Sequence, residues 1–134
     1  MTAARGVAKF RWTMDFKRLF TPTDAERTLP LVRQIVADVL ETGRRIRELD
    51  READAGEIAD LEAELEEHLR ELESIGCFYK DWNFSIGLVD FPAEIDGETV
   101  FLCWRSDESE LGWYHPVEEG YQGRRPLRRT APTE

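Results

Sequence analysis

No aromatic residue lies between Phe20 and Phe78, whereas ten lie from Phe78 onward. Aromatic side chains favour half-buried pleated surfaces. A chain partitioned in this way is therefore expected to be helical first and sheet-forming second. In the first part, Val32, Ile35, Val39, Thr42, Ile46, Leu49 and Ala53 follow alternating steps of three and four, a seam along one helical face. Ile58, Leu61, Leu65, His68, Leu72 and Ile75 continue the stepping. Thr21-Pro22-Thr23-Asp24 offers a cap hydroxyl, a proline suited to the first helical position and an acid three residues after the cap. Pro30 should kink or divide that helix. Asp54-Ala55-Gly56-Glu57 has the spacing of a second start, and Gly76 is a natural stop. The pattern predicts helices over about 22–53 and 55–75, folded into a long antiparallel hairpin splayed by Thr42 and Gly43 at its middle.

From Gly76 the period changes to two. Cys77 to Trp82, Ile86 to Phe91 and Thr99 to Arg105 read as strands, with a short fourth at Gly112 to His115. Asp96-Gly97 is a favoured tight-turn pair. Centring a hairpin there pairs Val89 with Trp104, Phe91 with Leu102 and Ala93 with Val100 on one apolar face. The opposite face then pairs Leu88 with Arg105, Asp90 with Cys103 and Pro92 with Phe101. The fold class expected is α+β: the helical hairpin packed with a small three- to four-stranded antiparallel sheet over about 77–116. Residues 1–16 read as an irregular extension, with Met14 as an alternative start and Phe16 and Phe20 able to dock on the core. Residues 17–127 form the single domain, and 128–134 a basic tail.

Charge narrows the function classes. The net charge of −10 argues against nucleic acid as the main partner. Residues 41–73 hold 13 acids and 5 bases, while residues 1–18 carry five bases against Asp15 and residues 120–134 four arginines against Glu134. The basic ends suit phosphates, the acidic surface of a neighbouring subunit, or solvent alone. No apolar run approaches the roughly 18 residues that span a bilayer. Cys77 and Cys103 form no metal or redox spacing and read as reduced thiols of a cytoplasmic protein.

Strong catalytic motifs are absent: there is no phosphate-binding glycine loop, HExxH, paired CxxC or nucleophile elbow. His68, in the helical seam, reads as a register residue bonded to a facing group such as Thr42. Asp90 stands amid Leu88-Val89-Phe91, where a carboxylate is costly unless paired. An Asp90–Arg105 ion pair beside an inert thiol is the plain account. A pocket in which Asp90, Cys103 and Arg105 converge is the sharper one. His115 could hold a divalent ion with Asp81, Asp90 or Glu108, or act as a general base oriented by one of them. Trp82, Trp104, Trp113 and Tyr121 read mainly as core, with an aromatic wall beside Arg105 able to receive a flat or cationic ligand.

The second half also carries a family pattern. It includes Lys80-Asp81, Gly87-Leu88-Val89-Asp90-Phe91-Pro92 and Leu102-Cys103-Trp104-Arg105. Glu108, Trp113-Tyr114-His115 and Gly120-Tyr121-Gln122-Gly123-Arg124 complete it, preceded by Phe20-Thr21, Ala25-Glu26 and Leu29-Pro30. Over about residues 17–127 the chain resembles the bacterial family catalogued as domain of unknown function 2203. The resemblance implies a fold and a bacterial cytoplasmic setting but no activity. It marks Lys80, Asp81, Asp90, Cys103, Arg105, Glu108, His115 and Arg124 as candidate positions. Two departures stand out: Arg27 in place of asparagine, and Tyr114-His115-Pro116 in place of a tryptophan-histidine-acid run.

The leading functional expectation is a non-enzymatic accessory or scaffold protein, dimerising through its hairpin and docking a protein partner. The alternative is a metal- or small-ligand-binding protein or enzyme. Its candidate ligand-binding residues are Lys80, Asp81, Asp90, Cys103, Arg105 and Arg124, and its candidate metal ligands Asp90, Glu108 and His115. A nucleic-acid regulator using the C-terminal arginines ranks third.

Overall fold

The structure, a computed structural model, describes residues 16–127. The expected extension up to residue 15, the alternative start at Met14 and the basic tail lie outside the described residues. Helix α1 spans Pro22–Arg47 and α2 spans Ala55–Ile75. Strands β1 Phe78–Tyr79, β2 Leu88–Ile95, β3 Glu98–Arg105, β4 Trp113–Pro116 and β5 Arg125–Pro126 come after them, with a 3-10 turn at Tyr121–Gly123 before the last. The five strands form one antiparallel sheet in chain order.

The start of α1 is set by its cap. Thr21 Oγ1 accepts the Asp24 N–H at 3.0 Å, and Pro22 occupies the first turn, where no N–H is needed. The helix runs through Pro30 undivided but ends at Arg47, short of the expected 53. The intervening turn carries its own acceptors: Asp54 Oδ2 takes the Asp50 N–H and Asp50 Oδ2 the Ala53 N–H. Asp54 is thus spent on the turn and makes no side-chain cap to α2. Side chains of this kind compete with helix for backbone groups, which is why the seam pattern overran the helix. At the middle of the hairpin, Phe84 fills the space beside Gly43. A Cβ on that glycine would lie 2.8 Å from the Phe84 Cβ.

The β2–β3 register is the expected one throughout, from Leu88 opposite Arg105 to Ala93 opposite Val100. Asp96 and Gly97 turn the chain with φ of 53° and 80°, the left-handed pair that a two-residue hairpin loop demands. Pro92 is tolerated because β1 pairs only with Val89 and Asp90, leaving the rest of β2 an edge. There the Phe20 N–H donates to the Pro92 carbonyl at 2.7 Å. One sheet face, with Tyr79, Val89, Phe91, Ala93, Val100, Leu102 and Trp104, joins Ala25, Val32, Ile35, Val36 and Val39 of α1 in a single core. This burial of large apolar side chains holds the helix on the sheet.

Four further expectations change. The first strand shrinks to Phe78–Tyr79 because Asp81 gathers the next few residues into a turn. Its carboxylate accepts N–H groups from Asn83 at 3.1 Å, Ser85 at 2.9 Å and Ile86 at 2.8 Å. The sheet gains β5 beside β4. Trp82 and Tyr121 are exposed, at 62% and 39%, while Trp104 is fully buried and Trp113 half-buried. His68 does not meet Thr42. The Thr42 hydroxyl donates to the Asp38 carbonyl at 2.8 Å, and His68 Nε2 lies 3.7 Å from Glu64 on its own helix. No helix among the described residues is long and apolar enough to cross a membrane.

Candidate functional site

The sheet face turned away from α1 concentrates the buried polar groups. Alternation along β2 and β3 puts Asp90 and Cys103 directly opposite each other. The β3–β4 register then sets His115 opposite Phe101, diagonal to Cys103. Asp90, Cys103 and His115 are 3%, 2% and 3% exposed. One ligand atom from each lies within 4.8 Å of the others. They border a cleft of about 240 Å³ whose remaining wall includes Lys80, Leu88, Phe101, Val117 and Glu119. Phe16 packs edge-on against Phe78 and Phe101 of the same face.

Both His115 ring nitrogens are engaged. Nδ1 lies 2.8 Å from the Pro116 carbonyl and Nε2 lies 3.2 Å from Asp90 Oδ2. A carbonyl and a carboxylate only accept, so both contacts are hydrogen bonds when both nitrogens carry hydrogen. Burial opposes that charged form, but the Asp90 and Pro116 hydrogen bonds outweigh it and raise the His115 pKa. In this doubly hydrogen-bonded state His115 has no free nitrogen for the general-base role that the sequence suggested, and Nε2 becomes available only when the Asp90 contact opens. Burial pushes the Cys103 thiol up to about 12, aided by the nearby Asp90 charge and opposed by Arg124. An unassisted Cys103 is a neutral thiol, not a nucleophile. Cys77 is buried and likewise pushed up to about 12 by desolvation.

The remaining expected site residues are distributed differently. Arg105 does not pair with Asp90; its Nε donates to Asp107 Oδ1 at 2.7 Å and its Nη1 to the Tyr121 hydroxyl. Its side chain leans along the chain toward the 106–109 turn and the 3-10 segment, which places it outside the buried cluster. Asp81 is consumed by its turn. Glu108 is not with Asp90 and His115: its Oε1 accepts the Arg105 N–H at 2.9 Å and Arg124 Nη2 at 2.7 Å. Cys103 therefore replaces Glu108 in the metal-competent set. Arg124 also donates to the Cys103 carbonyl at 3.1 Å and lies 4.9 Å and 4.8 Å from the Trp113 and Tyr121 ring centres. The expected aromatic wall thus receives the protein's own guanidinium. Arg124 straps the 117–124 segment over the polar face. Lys80 does reach the cleft, with Nζ 5.8 Å from the Phe101 ring centre. Val117 and Glu119 line it too, although neither belongs to a motif that would single it out. Only the return of the chain after β4 brings them there.

A family model described as Uncharacterized conserved protein (DUF2203) matches residues 18–127, most of the chain. No curated protein and no solved structure matches it.

Proposed function

The chain belongs to the DUF2203 family, and from that premise, which supplies no activity, we propose that it is a metal-binding protein whose Asp90, Cys103 and His115 hold one divalent ion, zinc by preference. The observation that carries this reading is the meeting of three buried side chains, one oxygen, one sulfur and one nitrogen donor, within 4.8 Å. Each is an accepted zinc ligand, and three protein ligands leave a fourth position, as zinc sites that bind exogenous groups do. Ligand atoms around a tetrahedral zinc lie roughly 3.5 Å apart. The Asp90–His115 separation of 3.2 Å is close to that spacing, and the widest separation allowed here needs only a small closure. The Pro116 carbonyl on His115 Nδ1 is the outer partner that fixes a ligating imidazole and directs Nε2 at the ion.

The test is native mass spectrometry of the chelator-stripped chain after zinc loading, compared with its denatured mass. One zinc per chain is expected, lost in Cys103→Ala and His115→Ala and kept in Glu108→Gln and Asp81→Ala. A wild-type chain that retains no metal, or a His115→Ala variant that retains it fully, contradicts the reading.

A further inference from the structure

The cleft contains charges beyond the three ligands. Glu119 is answered by Arg125, whose Nη2 lies 3.3 Å from Glu119 Oε2. The Tyr121 hydroxyl is taken by Arg105. Lys80 differs: among the described residues its ammonium makes no ion pair, and it approaches the Phe101 ring. Phe101 in turn packs on His115, ring centres 5.5 Å apart. Lys80 is exposed, immediately after β1, so its head stays in water at the mouth of the cleft while its stem passes the apolar wall. Leu88, Phe101 and Val117 supply the apolar lining.

Charge counting then selects a ligand class. An ion of charge +2 is neutralised by the Asp90 carboxylate and the Cys103 thiolate, with His115 neutral when ligating. Lys80 leaves the cleft with one positive charge in excess. A monoanion balances it, whereas a phosphate dianion would leave a negative charge beside the buried Asp90 and Cys103.

We infer that the open metal position and Lys80 together bind a small carboxylate, one oxygen on the ion and the other toward the Lys80 ammonium, with an apolar or aromatic body against Leu88, Phe101 and Val117. This inference rests on the metal-binding reading above.

The experiment is calorimetric titration of the zinc-loaded full chain with benzoate, using benzyl alcohol as the neutral comparator and phenyl phosphate as the dianionic one. Benzoate should bind more tightly than either, and zinc-free protein should not bind it. Lys80→Met, which keeps the stem and removes the charge, should weaken benzoate about tenfold, the size of one charge-assisted contact, with zinc per chain unchanged. Full zinc uptake with no benzoate binding, with a preference for phenyl phosphate, or with equal binding in Lys80→Met overturns the carboxylate inference and leaves the metal centre standing. Failure to take up zinc overturns the reading beneath and this inference with it.

Discussion

Asp90 and His115 are each a poor choice for a buried strand position when taken alone, and together they are a compensated pair. Removing one member strands the other's charge, so Asp90→Ala should lower metal-free stability by roughly 3–5 kcal/mol in urea unfolding. A loss below the scatter of surface substitutions would show that the contact contributes nothing. The pH dependence carries more information. The folded pKa of His115 is raised, so the stability that the pair supplies is fully present below the ordinary histidine pKa. It is lost as pH rises through the raised value. Zinc loading should reverse the sign, because uptake releases a proton from His115 and another from Cys103 and so strengthens with pH. Stability curves for stripped and loaded protein that run parallel across neutral pH would count against the metal centre. At this scale the sequence was half legible. Asp90 opposite Cys103 could be read from a two-residue loop, but choosing His115 over Arg105 as the partner of Asp90 required the register of β4. No tight turn joins β4 to β3, and residues 106–112 between them leave that register open.

Elements show the same division between local and distant causes. The Thr21 cap, the Gly76 stop in the left-handed conformation and the Asp96-Gly97 turn are written in adjacent residues, and each appears where local chemistry puts it. β5 is not of this kind. The arginine- and proline-containing stretch at 124–127 carries no strand pattern of its own, and it is placed only when Leu127 donates its N–H to the Gly112 carbonyl at 2.8 Å and Arg124 reaches Glu108 and Cys103. The shortening of β1 has a local cause that the alternating pattern masked. Asp81 closes the 81–86 turn with three accepted N–H groups, so Asp81→Ala should cost about 1–3 kcal/mol, read by thermal or urea unfolding. Zinc stoichiometry should not change in that variant. A stable Asp81→Ala chain that no longer binds zinc would return Asp81 to the site as a ligand.

Among the described residues, apolar surface is spent mainly on the inner core, and the outer polar face is covered in part by the 117–124 return of the chain. Every acidic residue of α2 is exposed, and the chain carries a net charge of −10. Among the described residues the large exposed apolar side chains are Leu31, Trp82 and Tyr121, separated over a helix, a turn and the 3-10 segment. A net charge of this size opposes self-association at low salt. Sedimentation at low ionic strength should therefore give the mass of one chain. A dimer that persists there and dissociates in Leu31→Lys would restore assembly through the helical hairpin as the competing account. The most direct test of the metal centre is anomalous diffraction at the zinc absorption edge from crystals of the loaded chain. One peak per chain is expected, bonded to Asp90, Cys103 and His115, with zinc about 2.3 Å from the sulfur and about 2.0 Å from His115 Nε2. A peak elsewhere, or none at these three side chains, would contradict the metal centre.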